Sequence, residues 1–565
     1  MGRAGEQIDL LSGNLNYTLP LITALGRGGL KATFALAYNS QNWRVVAEMV
    51  PRILGADTGY GFGWQLMLGS LMPVYTGNEV VAFYLFTDST GAQYHLTVNT
   101  GGIWTSTESI YVWYDSHANR LYFRNGTFWA MGCVSAGGEQ DAGTLYPTIV
   151  EDTNGNQIFI TYMPGSGASW NNSSSRATII EDARSSLSCQ TPGSIEYVAC
   201  SYALSYTPGT STSPPYLSTI VNYVNTGEAY TITVNAGQPL DAPDLGTSFG
   251  TAGMLTSVEA TRPGYAWNFT YDTSSPTGAN DGDLTEVQFP QGGNLSWTYA
   301  DFTYLGYCTI RQVSNRSLMS SAQQPTANAY TLTWPDATNT VALHTGVALD
   351  DISSGTEKYW SFNPTGVAYA GLVSELQYRT GYGKTSPLPR DETYAWSQDS
   401  NLNPYLGTVK TTLDEYTAYA ATTQTVQTQD GYGNVASTTI VDYGNQNQST
   451  RQYTNTYLYQ NNATYGTTYH IYDRLWKTTL TSGSTNVTLV SNSRDGNALS
   501  AITTGVPNEQ DWANYGTLMT YRGNVTQSNS PGKTINTHYD TTGIVISQDD
   551  NLGEFDTPAW PTLIV

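Results

Sequence analysis

Ile149–Tyr162 reads IVEDTNGNQIFITY, in which oxygen-bearing Asp152, Asn154 and Asn156 fall at alternate positions and an apolar alternation follows. Two chemistries suit that beginning, a calcium loop and a chain reversal. A helix-loop-helix calcium site needs Gly at the sixth loop position and a bidentate Glu at the twelfth. Counted from Asp152, those positions hold Gln157 and Met163, while the glycine, Gly155, comes fourth. The reversal explains more. Gly155 supplies the positive φ of a tight turn, Asn156 caps neighbouring backbone groups, and Ile158, Ile160 and Tyr162 then share one face of a strand. The stretch is read as a hairpin with Asp152, Gly155 and Asn156 as turn residues, and not as a metal site.

The same grammar recurs along the chain. TIIEDARSS at Thr178 echoes the start of the stretch, and LSTIV at Leu217, LTSVEATRPGYAWNFTYD at Leu255 and LTEVQFPQGGNLSWTYAD at Leu284 each open on Leu, two spacers and Val or Ile. The last two pass a glycine-containing turn, Gly293-Asn294 in the second of them, and return through Trp to Tyr, which reads as strand, turn, strand. Farther on come DGYGNVAST with Asp430, Gly433 and Asn434, SRDGNALSAI with Gly496 and Asn497, YRGNVTQS with Gly523 and Asn524, and YDTTGIVISQ with Tyr539, Asp540 and Gly543. One such unit cannot bury its apolar face alone, so neighbouring units must stack.

Composition agrees. The 565 residues include 55 Gly and 42 Tyr but only 12% charged residues. Aromatic and β-branched residues suit pleated surfaces and Gly and Asn suit reversals, so an all-β protein is expected. The formal charge of -22 opposes binding to phosphate backbones and anionic membranes, and no dense Lys/Arg block reverses it locally, so nucleic acid is not an expected partner. No apolar stretch reaches the roughly 20 residues of a membrane-spanning helix, and MGRAGEQIDLLSG lacks the basic start and apolar core of an export signal. Cys133, Cys189, Cys200 and Cys308 match no metal-ligand spacing. Cys189 and Cys200 flank Pro192-Gly193 and could close a hairpin, the alternative being four buried thiols.

Tyr-Asp pairs at Tyr472 and Tyr539, together with the Gly-Asn turns, resemble the RHS or YD-repeat family. The N-terminal stretches SGNLNYTLPLITALGRGGLKATFALAYNSQNW and TGYGFGWQL, the latter carrying Gly61, Gly63 and Trp64, are similar to the segment that precedes the repeats in bacterial members. The repeats are degenerate, since Tyr-Asp-x-x-Gly is complete only at Tyr539. The resemblance implies a spiralling, shell-like β-sheet of stacked hairpins, a cocoon that in the family often encloses a toxic C-terminal domain and in animal relatives mediates cell adhesion. The expected organisation is a leading β segment over 1–75, degenerate hairpin repeats over 76–330, a less regular β region over 331–410 and YD-type repeats over 411–565. The Asp-Pro-x-Gly motif of the self-cleaving core in many bacterial members has no counterpart here. An incomplete shell, completed by a partner chain or enclosing an effector, is therefore expected.

Other motifs do not hold together. Gly383-Lys384-Thr385 ends like a phosphate-binding loop, but Tyr378 stands where that loop needs its first Gly. The acid pairs, such as Glu151-Asp152, Glu181-Asp182 and Asp391-Glu392, would point to opposite faces of a strand and could form a glycosidase pair only by convergence of different turns. The expected function is thus non-enzymatic: a secreted or cell-surface scaffold around an exported effector or toxin, with no catalytic residues, cofactor or metal. The alternatives are an adhesion or glycan-binding protein, and a carbohydrate-active hydrolase on a β scaffold.

Overall fold

Alternation puts Ile158, Ile160 and Tyr162 on the buried face of the strand Gln157–Tyr162, which pairs antiparallel with Ile149–Glu151 on one side and Ala177–Glu181 on the other. The computed structural model describes residues 4–556, except 47–49, 54, 78, 186–199, 225–226, 244–246, 262–263, 322–327, 367–368, 384–386, 445–449, 503–508 and 552–554. Within it, antiparallel pairing of each strand with the next runs from Val98–Thr100 to Phe555–Asp556, passing from Phe128–Ala130 directly to Ile149–Glu151, through all but two of the 33 strands of one sheet. Two further strands of that sheet, Trp43–Val46 and Val50–Ile53, attach through Val45 to Thr309. Among the described residues helix is confined to the short 3-10 turn Arg27–Gly29 and the α-helices Leu458–Asn461 and Thr464–Thr467, and none is long and apolar enough to cross a membrane. The chain is all-β.

Tyrosine fixes the strand ends. At Tyr162, Tyr206, Tyr271, Tyr299, Tyr457 and Tyr539 the ladder register shifts at the step into the Tyr. Each of these six hydroxyls donates to a backbone carbonyl, those of Pro147, Ala177, Leu255, Leu284, Val435 and Val525, at 2.7–2.9 Å. A bulge turns the ring inward and leaves a carbonyl outside the ladder, and the hydroxyl satisfies it. In the pair Tyr539-Asp540 the Tyr is thus a ladder lock placed one residue before the turn, whereas Tyr472 lies outside the strands and stacks on Tyr432.

The N-terminal segment forms a second layer. Glu6–Ile8, Leu15–Leu25, Lys31–Asn39 and Trp64–Met67 make a four-stranded sheet, and its apolar face packs on the strands between residues 217 and 349 of the large sheet. Trp64 is fully buried there, edge-on to Phe269, with its indole N–H donating to the Tyr271 hydroxyl at 2.8 Å. Glu6 and Arg316 form a buried ion pair across the same interface. Gly61 and Gly63, both at positive φ, lead into Trp64 where a Cβ would meet Leu255 or Asn42.

Beyond residue 404 this second layer is gone. Ala421–Gln429, Val435–Gly444 and Leu475–Ser482 show no buried residue on either face, and the first of them, ATTQTVQTQ, is almost wholly polar. Here the sheet is a single-layer wall. Residues 331–410, expected to be less regular, carry the same ladder through Gly346–Asp351, Thr356–Phe362, Val373–Arg379 and Arg390–Gln398. The repeat signal is weak there because the turn at 399–403 has Leu402 where its relatives have glycine. Cys133 and Cys308 are free thiols, while Cys189, the expected partner of Cys200, and Lys384-Thr385 lie outside the described residues.

Candidate functional site, the seam between windings

The opening stretch turns on its aspartate. Asp152 Oδ1 accepts the backbone N–H of Asn154 and Asn156 at 2.8 and 2.9 Å, and Oδ2 accepts Nδ2 of Asn156 at 2.8 Å. Gly155, at φ 79°, closes the reversal by donating to the Asp152 carbonyl. Asp430–Asn434 repeats this bond for bond, with Gly433 at φ 76°. Asp540 keeps it with Ile544 in the asparagine place and Gly543 at φ 78°. The carboxylates that resemble calcium ligands are committed to amides of their own turns.

Sequence reading missed three copies. Asp88–Ala92 is one, and Asp399–Asn403 is another, in which Leu402 takes the left-handed position at φ 66°. The third is split. Asp495 accepts the N–H groups of Arg522, Gly523 and Asn524, so residues 496–521 are an insertion inside a turn that Gly523-Asn524 completes. Gly496 and Asn497, expected to be the turn themselves, enter the insertion, where Asn497 Nδ2 donates to the Thr537 carbonyl. In the turn before Asn294, Gly292 rather than Gly293 has the positive φ, and a Cβ on Gly293 would strike the Met319 and Ser320 carbonyls.

In a next-neighbour antiparallel sheet, successive turns alternate between its two edges. The early turns at 106–111, 124–127 and 152–156 lie on one edge, and the late turns at 399–403, 430–434, 458–474, 495–524 and 540–544 lie on the other. The two sets meet in the same order. Ser109 N–H donates to Asn403 Oδ1, Arg124 donates to the Gly433 carbonyl, Asn125 bridges Ile471, Asn156 bridges Gln510, and Asn156 Nδ2 donates to the Thr542 carbonyl at 2.9 Å. Contacts that advance in step between opposite edges are those of a wound sheet, one winding sealing on the next. The turn glycines serve this approach: a Cβ on Gly155 would collide with Tyr515, on Gly433 with Tyr111, and on Gly543 with Asn154 at 2.5 Å.

Arg522, 1% exposed, is the hub of the seam. It donates to the carbonyls of Asn154 and Thr541 from one nitrogen and to those of Tyr515 and Gly516 from the other, at 2.6–3.0 Å, while Nε reaches Met519. Its charge joins two windings through backbone alone. Around it converge carboxylates from separate turns. Burial pushes Glu151 and Glu509 up to about 7 and Asp152 up to about 6, with amide hydrogen bonds from Gln157 and Asn156 opposing the shift at Glu151 and Asp152. Glu509 and Asp511 straddle the Gln510 bridge, the Glu509 carbonyl accepting the Gln157 N–H at 2.9 Å and the Asp511 N–H donating to the Gly155 carbonyl at 2.8 Å. A cavity of about 570 Å³ opens beside this point, lined by Lys31, Trp129, Asp152, Asn154, Arg474 and Tyr539 among others.

No family model matches the chain, and no curated protein matches it. Solved structures do. The crystal structure of TcdB2-TccC3-TEV aligns with 98% of this chain and 54% of that chain at a TM-score of 0.54 and 8% identity. TcdB2-TccC3 without its hypervariable C-terminal region aligns with 96% of this chain and 53% of that one at a TM-score of 0.53 and 7% identity. At these identities the likeness is one of fold. The chain spans about half the length of the structures it matches.

Proposed function

We propose that the chain is a non-enzymatic, RHS-like segment of a β-shell, exported as a scaffold around an effector or toxin and completed by a partner chain. The observation that carries this reading is the stretch of wall made by Ala421–Gln429, Val435–Gly444 and Leu475–Ser482, in which neither face carries a buried residue. A globular core buries one face of every sheet, whereas a container needs a wall wetted on both sides. The fold likeness to TcdB2-TccC3 over nearly the whole chain supports the shell. Of the acid pairs behind the hydrolase alternative, Asp182 is engaged by Arg184 and Ser201, and Glu392 by Arg390 and Tyr394.

The partner surface is the uncovered lip of the late winding. Four consecutive reversals on one edge present Ile352, Tyr382, Tyr416 with Tyr419, and Tyr443, all exposed, the middle two at 85%. One winding earlier that same edge is covered by the late turns. The test is purification of the chain with its native associates, followed by cryo-EM. A closed shell with density inside and a second polypeptide on the 352–443 lip is expected; a free chain with no enclosed volume overturns the reading.

A further inference from the structure

The seam opens at its first contact into a cleft that the shell reading leaves without a role. It holds about 880 Å³, within the roughly 300–1,000 Å³ typical of ligand sites, between residues 107–111 of one winding and Tyr369, Ala370, Leu372 and Leu402 of the next. Trp396, Tyr369 and Tyr405 line it, and the Trp396 indole N–H is anchored on the Val373 carbonyl at 2.7 Å. Three glutamines join them. Gln427 Nε2 donates to the Leu406 carbonyl and Gln398 Nε2 to the Leu402 carbonyl, which fixes both amides and leaves their oxygens as acceptors without a protein partner among the described residues. Gln429 lies beside them, near the Tyr111 hydroxyl, which donates to Asp399 Oδ2 at 3.0 Å.

No Lys or Arg lines the cleft, and the one carboxylate, Glu108, is paired with His95. An anionic ligand therefore has no counter-charge there. Fixed amide acceptors beside aromatic faces suit a ligand whose hydroxyls donate and whose C–H faces are apolar. The lining is also held in costly backbone: Ser109, Tyr369 and Leu402, three of the few described non-glycine residues at positive φ, all border it. Such strain persists where the surroundings overdetermine it, and it clusters at binding sites.

We propose that this cleft binds a neutral oligosaccharide, with Trp396 and Tyr405 as stacking surfaces and Gln398 and Gln427 reading hydroxyls. The proposal does not depend on the container reading. The test is calorimetry and tryptophan fluorescence on the full chain with maltohexaose, cellohexaose, chitohexaose, mannohexaose and a proline-rich decapeptide. Saturable binding of at least one hexasaccharide is expected, weakened at least about tenfold by Trp396→Ala and by the milder Gln427→Ala, and unchanged by Trp170→Ala on a distant exposed loop. The proposal is overturned by the absence of any hexasaccharide binding with a Kd below about 1 mM. Binding of the decapeptide alone, or hexasaccharide binding that Trp396→Ala and Gln427→Ala leave intact, overturns it as well.

Discussion

Leu402 and Gly433 occupy the same place in two copies of one turn, and the difference between them is a local test of the seam. A left-handed Leu costs about 1 kcal/mol over glycine, so Leu402→Gly is expected to leave thermal stability unchanged or slightly raised, the relief being offset by greater chain entropy in the unfolded state. Gly433→Ala meets the same backbone demand and in addition drives its Cβ into the Tyr111 ring across the seam, and a loss of roughly 2 kcal/mol is expected in denaturant unfolding. Equal costs for the two changes would mean that Gly433 serves the turn alone. The ladder tyrosines make a second residue-scale prediction. Tyr271→Phe removes the donor to the Leu255 carbonyl and the acceptor for the Trp64 indole, so it should cost about 1–3 kcal/mol although the ring remains; a neutral effect would remove the lock role.

At the scale of elements, the buried acids make the join of the 149–157 hairpin to the 509–524 segment sensitive to pH. Their raised values mean that the folded chain holds protons that the unfolded chain has released, since free carboxyls titrate near 4. Their contribution to stability is fully present below the unfolded value and is lost as pH rises through about 6 to 7. The melting temperature should therefore fall between about pH 5 and pH 8, and Glu509→Gln should flatten that fall; a melting temperature that climbs over the interval contradicts the placement of these acids. The hairpins were legible in sequence where a following Asn or a Tyr-Asp pair accompanied the turn glycine, as at Gly155, Gly433 and Gly543; Asp88–Ala92 has Gly91 but neither of those signals. Asp399–Asn403 was not legible, because Leu402 hides the marker, and neither was the Asp495–Asn524 turn, because an insertion separates its two halves. The seam could not be read either. Arg522 resembles any arginine in a polar turn, and only the winding brings Asn154 and Thr541 to it.

The whole molecule is a sheet wound so that its early edge is sealed by its late turns, and the lip at 352–443 is the surface proposed for a partner. Replacing both Tyr416 and Tyr419 by Ser should abolish association with that partner while leaving the melting temperature unchanged, because both side chains are solvent-exposed; unaltered association would move the partner surface elsewhere. The winding itself is tested most directly by hydrogen exchange read by mass spectrometry on the native chain and on Arg522→Met. The seam account predicts that peptides covering 120–157 and 509–545 lose protection together in the variant, while those covering 217–304 under the N-terminal sheet do not change. Loss confined to the 509–524 segment, with 120–157 as protected as before, would contradict it.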